Sequence, residues 1–298
     1  MKQSTNHLFM IEPSVFYANP ETMETNAYQV EEGQEDKRAL LVKSRLEFRN
    51  YRDLLVEQGV MVTTLLGEPG CPDMVFPNWA STYENDKLIL YPMLNQNRAA
   101  ERTQRITDWL SQYYTDVTDW SHYEAEGRAL ESTASIVADH VNKRAYAGLS
   151  KRTDPDLAKQ WADLMGYDLI MFETKSHTGI PVYHTDFLMY IGTDMAGICS
   201  ECITDKKLRE TVLARLRETH DVIEITMEQL QANCGNALEV VGTNDEKMLT
   251  MSKAALEALT PEQRSVIGKH YETLICPDLT TLEKYGGGSA RCMLMELF

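Results

Sequence analysis

The strongest constraint on this chain is a rhythm: two or three short extended segments, then one helix, repeated about five times. Helical patterning covers residues 36–59, 98–113, 156–165, 206–219 and 261–271, with a shorter stretch over 279–284 before three glycines. Between them lie short apolar runs of strand length at 8–17, 60–66, 87–91, 117–120, 135–138, 144–148, 168–172, 187–191, 197–202, 222–225, 239–242, 247–251 and 273–276. Several of these runs are too close together for a helical crossover, so they must form hairpins. This argues against a purely parallel sheet, and a mixed α/β fold is expected. No linker or shift in composition interrupts the rhythm, so residues 1–298 read as one domain, and no sequence repeat accompanies it.

The individual signals have physical causes. In 36–59, Leu40, Leu41, Ser44, Leu46, Phe48, Tyr51, Leu54 and Leu55 fall mostly on one face, and Gly59 stops the helix. Thr260 followed by Pro261 marks a capped helix start, because proline's missing N–H costs nothing in the first turn. The segment Cys71–Trp79 holds too much proline and asparagine for a central strand.

Charge narrows the partners. Lys and Arg total 29 against 45 Asp and Glu, a formal charge of −16. Such a surface repels phosphate backbones, which argues against nucleic acid, while it weakly favours the approach of a small cation. The apolar run Leu8–Ile11 is too short for a signal peptide, and no stretch has the length of a membrane span. Six scattered cysteines suit a reducing cytoplasm better than a disulfide framework. Cys199 and Cys202 form a Cys-x-x-Cys without a second pair at zinc-ribbon spacing, which disfavours a metal or redox role. The oligomeric state stays open, a homo-oligomer included.

The chemistry-bearing stretch is the end of the chain, Gly286-Gly-Gly-Ser-Ala-Arg-Cys-Met-Leu-Met-Glu-Leu-Phe298. Glycines there permit close backbone approach, the run from Met293 to Phe298 reads as a buried strand, and Cys292 sits between them. Burial preference alone makes such a thiol a core residue; a nearby base would make it a nucleophile. Of seven histidines, His184 stands apart, in Tyr183-His-Thr-Asp-Phe187 at the entrance to an apolar run. In extended chain His184 and Asp186 point to the same side, which would aim an acid/base and a carboxylate into one pocket; an exposed strand end with polar residues fits the pattern as well. Glu131 stands just before another run.

Glu131-Ser-Thr, His184-Thr-Asp186 and the glycine-rich loop to Cys292 occur in the order and approximate spacing of the guanidino-modifying enzymes. Cys71-Pro-Asp-Met-Val-Phe76 resembles that superfamily's Pro-Asp-x-x-Phe segment, and Ser150-Lys-Arg-Thr153 its Ser-x-Arg-Thr segment. The resemblance runs from Asn19-Pro20 to Cys292. It implies a five-bladed, pseudo-symmetric α/β propeller of ββαβ modules and a cysteine hydrolase without metal or organic cofactor. In that scheme Cys292 attacks the planar carbon of a guanidino or ureido amino acid. His184 protonates the departing amine and then activates water. Glu131 and Asp186 hold the substrate's N–H groups, Arg98 and Arg152 its carboxylate, and Asp73 its amino group.

One departure is informative. Deiminases and dimethylarginine hydrolases carry an aspartate three residues after the phenylalanine of this segment, whereas here Phe76 leads into Pro77-Asn-Trp79. Asn78 both donates and accepts, so it suits a neutral ureido oxygen that a carboxylate would repel. Together with Asn19 and Asn26, this resembles the citrulline-utilisation and arginine-dihydrolase branches. The expected reaction is citrulline, or arginine, to ornithine with release of ammonia. A deiminase, an amidinotransferase, or a non-catalytic arginine or citrulline binder are the alternatives.

Overall fold

The structure, a computed structural model, describes residues 1–31, 33 and 36–298. Strand β1 (His7–Glu12) crosses through helix α1 (Lys37–Glu57) to β2 (Met61–Leu66), its parallel partner, with Leu8 beside Val62. The next unit is β3 (Ala80–Tyr83), β4 (Lys87–Leu90), α2 (Gln104–Ser111) and β5 (Asp116–Asp119). There β3 and β4 pair antiparallel and β4 and β5 parallel. The same order, an antiparallel pair, a helix and a parallel strand, returns three times. It runs through β6 (Val137–Asp139), β7 (Arg144–Leu149), α3 (Pro155–Met165) and β8 (Asp168–Glu173), then β9 (Met189–Ile191), β10 (Met195–Ile198), α4 (Lys206–Arg217) and β11 (Asp221–Glu224). The last full unit is β12 (Leu238–Val241), β13 (Lys247–Thr250), α5 (Pro261–His270) and β14 (Leu274–Ile275). The final strand, β15 (Met295–Glu296), pairs antiparallel with β1 through Leu8–Glu296 and Phe9–Met295. The described residues thus form five three-stranded sheets, one of them assembled from both ends of the chain.

Helix formation follows the apolar spacing. Along α1 the buried positions are Leu40, Ser44, Phe48, Tyr51 and Leu55, separated by three or four residues, so one stripe packs onto Leu8 and Met10 of β1. Leu46, expected on that face, is exposed, because it lies across the helix from the stripe. Asp36 caps α1 through its side chain. Thr260 and Gln263 form a reciprocal capping box at α5, which satisfies two N–H groups that would otherwise be unpaired.

Four local expectations are corrected. The helix drawn over 98–113 is broken: a single turn Gln96–Ala99 precedes α2, which restarts after Thr103. The buried i,i+3 ion pair of Arg98 with Glu101, at 2.8 Å, reaches from that turn into the break. The runs expected as strand over 135–138 and 187–191 begin inside one-turn helices, 132–135 and 185–188, and the strands β6 and β9 start only after them. His184 and Asp186 therefore do not share a side through extended chain. His184 caps the turn in an extended conformation, and Asp186 lies in its first turn. Strand β3 has no counterpart among the expected runs; its sequence, Ala-Ser-Thr-Tyr, lacks an apolar alternation and is buried throughout. No described helix is long and apolar enough to cross a membrane.

Candidate active site

Each sheet's first strand is preceded by a short irregular lead-in, and these lead-ins supply most of the site. Asp73 and Asn78 precede β3, Glu131 precedes β6, His184 and Asp186 precede β9, and Cys292 precedes β15. A second set follows the middle strands: Asn19 after β1, Arg98 after β4 and Arg152 after β7.

The glycine loop places the thiol. Gly287 ends the helical segment Thr280–Gly286 at φ +65°. A Cβ at Gly287 would lie 2.6 Å from Asn26 Nδ2 and 2.8 Å from the Gln29 backbone nitrogen, so this turn needs glycine for both conformation and space. The chain then enters a short 3-10 turn, Arg291–Met293, that buries Cys292. Asn236 Nδ2 donates to Cys292 Sγ at 3.1 Å and to the Asp186 carbonyl at 3.0 Å. Its Oδ1 accepts from the backbone N–H of Arg291 at 2.9 Å and of Cys292 at 3.3 Å. Asp186 Oδ2 is 3.7 Å from Sγ. Burial, then the Asp186 carboxyl, push the Cys292 thiol well above its ordinary value, with Asn236 and Arg291 opposing. The resting sulfur is therefore a neutral thiol.

Asn236 is the residue that sequence reading missed. The fourth lead-in, Asn233-Cys-Gly-Asn236, carries the signal: four lead-ins had candidates, and this one did not. Its tight seat is also marked by Gly235, where a Cβ would fall 2.3 Å from the Phe187 carbonyl oxygen.

On the neighbouring wall, His184 Nε2 is 2.7 Å from Glu131 Oε2. Arg152 Nη1 lies 3.6 Å from the same oxygen. Burial opposes charge on Glu131, yet Arg152 and His184 overcome it and hold the carboxyl down at about 2. Burial drops His184 to about 4 despite Glu131. At neutral pH the pair is an ionised carboxylate accepting from the Nε2–H of a neutral imidazole, which leaves Nδ1 as the acceptor. His184 Nδ1 has no hydrogen-bond partner among the described residues. Glu131 is also tied to its lead-in, its N–H donating to Ser135 Oγ at 2.8 Å. Ser132 beside it adopts φ +54°, strain stored where the backbone aims a buried carboxylate. Thr185 Oγ1 donates to the Ser135 carbonyl at 2.6 Å, locking the Glu131 and His184 segments together.

Asp186 differs from Glu131 in its surroundings. Burial raises it to about 7, since Arg291 and the Cys292 hydrogen bond compensate only in part. Two buried carboxyls thus differ: Glu131, held by cations, is ionised well below neutrality, while Asp186, left short of them, is raised to near it.

The remaining predicted residues complete a small pocket, about 250 Å³ of open space counting the solvent at its mouth, whose wall includes Asp73, Asn78, Arg98, Arg152, His184 and Cys292. Asp73 Oδ2 accepts from Asn19 Nδ2 at 2.8 Å and Thr22 Oγ1 at 3.0 Å, while Oδ1 has no partner among the described residues. Burial raises the Asp73 carboxyl, with Arg98 and Asn19 opposing. Arg98 Nη2 donates to the Phe76 carbonyl at 2.6 Å, and Arg152 donates to Thr22 O and Thr25 Oγ1. Both arginines are therefore held in place by protein groups in addition to facing the cavity. The expected residues meet here: six line the cavity, and Glu131, Asp186 and Asn19 bond directly to residues that do. Cys199 and Cys202 lie elsewhere, buried after β10, with sulfurs 3.4 Å apart. Among the described residues no group of three or more His, Cys, Asp or Glu could hold a metal.

A thiol, an unpaired imidazole nitrogen and carboxylates around one small cavity suit nucleophilic attack on a planar, N–H-rich carbon. Comparisons with known proteins agree in kind. No curated protein matches the sequence. Among solved structures, the chain is similar to the N-terminal domain of ArgZ, described as an arginine dihydrolase from the ornithine-ammonia cycle in cyanobacteria and solved as a mutant bound to substrate. That similarity has a TM-score of 0.76 at 15% identity and covers 97% of both chains. Unliganded AgrE gives a TM-score of 0.78 at 16% identity, covering 98% of this chain and 39% of that one. A dimethylarginine dimethylaminohydrolase adduct with S-methyl-L-thiocitrulline gives 0.66 at 17% identity, covering 98% and 99%. At such identities these likenesses establish the fold alone. The family of N,N dimethylarginine dimethylhydrolase, eukaryotic, matches the sequence over residues 12–298. Since that match runs through every lead-in described above, the chain belongs to this family of hydrolases, which act on carbon–nitrogen bonds of guanidino groups.

Proposed function

We propose that the protein cleaves a C–N bond of a guanidino or ureido amino acid through a covalent Cys292 adduct, with citrulline as the first substrate and arginine as the second. The observation that carries this reading is the cavity shared by Cys292, His184 and Asn78, with Asp186 against the thiol. As the C–S bond forms, the thiol proton passes to His184, whose Nδ1 is its empty acceptor. The resulting imidazolium is stabilised by Glu131 and protonates the departing amine. His184 then takes a proton from water, which attacks the adduct carbon; the C–S electron pair returns to sulfur. Glu131 and Asp186 orient substrate N–H groups, Asp73 the amino group, and Arg98 and Arg152 the carboxylate. Asn19 acts through Asp73.

Citrulline is favoured by Asn78. The second carboxylate of related hydrolases has no counterpart here, since Trp79 stands three residues after Phe76, and the neighbouring Asn78 amide can donate to a ureido oxygen that lacks positive charge. Arginine is kept because Glu131 is ionised beside the cavity and suits a cation. We place these activities in one domain, residues 1–298, with the five sheet modules as blades of an α/β propeller. The repeated antiparallel–helix–parallel order supports that arrangement. Six free cysteines support a cytoplasmic setting. Incubation with citrulline, arginine and a methylated arginine, followed by product analysis, tests the reading. Ornithine and ammonia from citrulline or arginine are expected. Conversion only with an added amine acceptor indicates an amidinotransferase, and binding without any product indicates a binder.

A further inference from the structure

Cys199 and Cys202 take no part in the candidate active site, and the fold brings them a third sulfur. Strands β10 and β11 run parallel with Ile198 beside Glu224, so the turns that follow them leave the sheet at the same end. After β10 comes the short 3-10 turn Ser200–Cys202, and after β11 the helical segment Met227–Gln231. The two turns are pinned together: the Ile225 N–H donates to the Ile198 carbonyl at 2.9 Å, and Ser200 Oγ donates to Glu224 Oε2 at 2.6 Å. Cys202 Sγ then lies 3.4 Å from Cys199 Sγ and 3.9 Å from Met227 Sδ.

A Cys-x-x-Cys without a second pair leaves a tetrahedral zinc site short of ligands. Two thiols and a thioether suit a different ion, one that is soft and content with few ligands. Metal–thiolate bonds of about 2.3 Å set neighbouring sulfurs about 4 Å apart around a three-coordinate ion, so the observed spacings need little adjustment. Both cysteines are fully buried and Met227 is half-buried, which makes the thioether the ligand nearest solvent. The Cys202 thiol pulls the Cys199 thiol below its ordinary value, against burial and with help from the backbone N–H groups of Cys202 and Glu201. Arg209 is held over the same turn, its Nη2 donating to the carbonyls of Ile203 at 2.7 Å and Glu201 at 3.3 Å. A second, independent sign comes from Tyr28, whose Oη is buried without a hydrogen-bond partner among the described residues. Burial, then the nearby Cys202 and Cys199, raise its phenol, so the unpaired oxygen lies near both sulfurs. The Tyr28 ring packs 4.1 Å from that of Phe187, next to Asp186, so the cluster adjoins the active-site wall without lining it.

We propose that Cys199, Cys202 and Met227 form a binding site for a soft monovalent cation of the copper(I) class. One copper(I) ion displaces the two thiol protons, giving a bis-thiolate centre of net charge −1 with the methionine sulfur as third ligand. The copper keeps its oxidation state, so no oxidant or reductant is required, and Arg209 offsets the remaining negative charge. None of the three residues lines the front cavity, and the site is independent of the hydrolytic reading.

Anaerobic titration of the reduced full-length protein with copper(I) against bicinchoninate tests the proposal. The native protein should withhold about one copper(I) per chain more than a Cys199→Ala/Cys202→Ala variant. Met227→Leu, which conserves volume, should weaken retention of that ion about tenfold. Equal uptake by the native protein and the double variant overturns the site, and unchanged retention in Met227→Leu overturns the three-sulfur centre. Equimolar zinc should leave the bound copper in place; displacement by zinc overturns the soft-ion assignment. A crystal structure of the native protein loaded with copper(I) does not depend on the variants folding. It should show an anomalous peak among the three sulfurs, and a peak only at other cysteines overturns the proposal.

Discussion

Asp186 carries a cost that its position explains. Its carboxyl rises from 3.8 to about 7 on folding because burial outweighs Arg291. Below pH 3.8 the group is protonated in both states and stability is unaffected. Above pH 7 it must be charged in both, and the full penalty, on the order of 4 kcal/mol, weighs against the folded form. Asp186→Asn is therefore predicted to raise the Tm at pH 8, to leave it little changed at pH 4, and to abolish turnover. Thermal unfolding at the two pH values checks this; a lower Tm at pH 8 would contradict the assignment of an undercompensated charge. His184 has the opposite consequence. Its folded value of about 4 lies below the ordinary 6.5, so the unfolded chain gains a proton first as pH falls. Stability from this group is complete above 6.5 and lost as pH falls toward 4. Asp186 and His184 could be picked out in the sequence because a histidine beside a carboxylate at the start of an apolar run is a restricted pattern, and the structure brings both to the candidate site. Asn236 could not be picked out, since an asparagine that holds a thiol and two backbone N–H groups looks like any loop asparagine until the lead-ins are superposed on the fold.

At the scale of elements, helices were easier to read than short strands. The stripe Leu40, Ser44, Phe48, Tyr51 and Leu55 and the Thr260–Gln263 capping box both announce themselves through spacing. Strand β3 and the one-turn helices at 132–135 and 185–188 do not, because three or four residues are too few for any period to register, and tertiary contacts decide their conformation. The misread pairing of His184 with Asp186 follows from that. Both reach the site, but by way of a helical turn anchored to its neighbour through Thr185 and Ser135. The glycine loop was read correctly as a place of close approach, and its constraint is local to Gly287. Gly287→Ala is predicted to destabilise by about 1–3 kcal/mol, from the left-handed angle plus collision with Asn26 and Gln29. It should also reduce turnover by displacing the Asn26 segment. Chemical denaturation and a kinetic assay check both, and a variant of native stability and rate would show that this turn is not constrained.

For the whole molecule, the closing feature is the sheet built from both termini. Strand β15 pairs with β1, Leu297 N–H donates to the His7 carbonyl at 2.9 Å, and Thr82 Oγ1 donates to the Glu296 carbonyl at 2.9 Å. Because Cys292 lies just before β15, the pairing that completes this sheet also sets the sulfur beside Asp186 and Asn236. Removal of residues 295–298 is predicted to cost most of the cooperative unfolding transition, not merely activity; circular dichroism during heating would show it, and an unchanged Tm would refute it. The central claim concerns the sulfur itself, and intact mass spectrometry during turnover of citrulline or arginine tests it most directly. The predicted result is a transient mass increase on the native protein, located at Cys292 and absent from a folded Cys292→Ala variant, together with ornithine in solution. Ornithine formed by Cys292→Ala at the native rate would contradict the account.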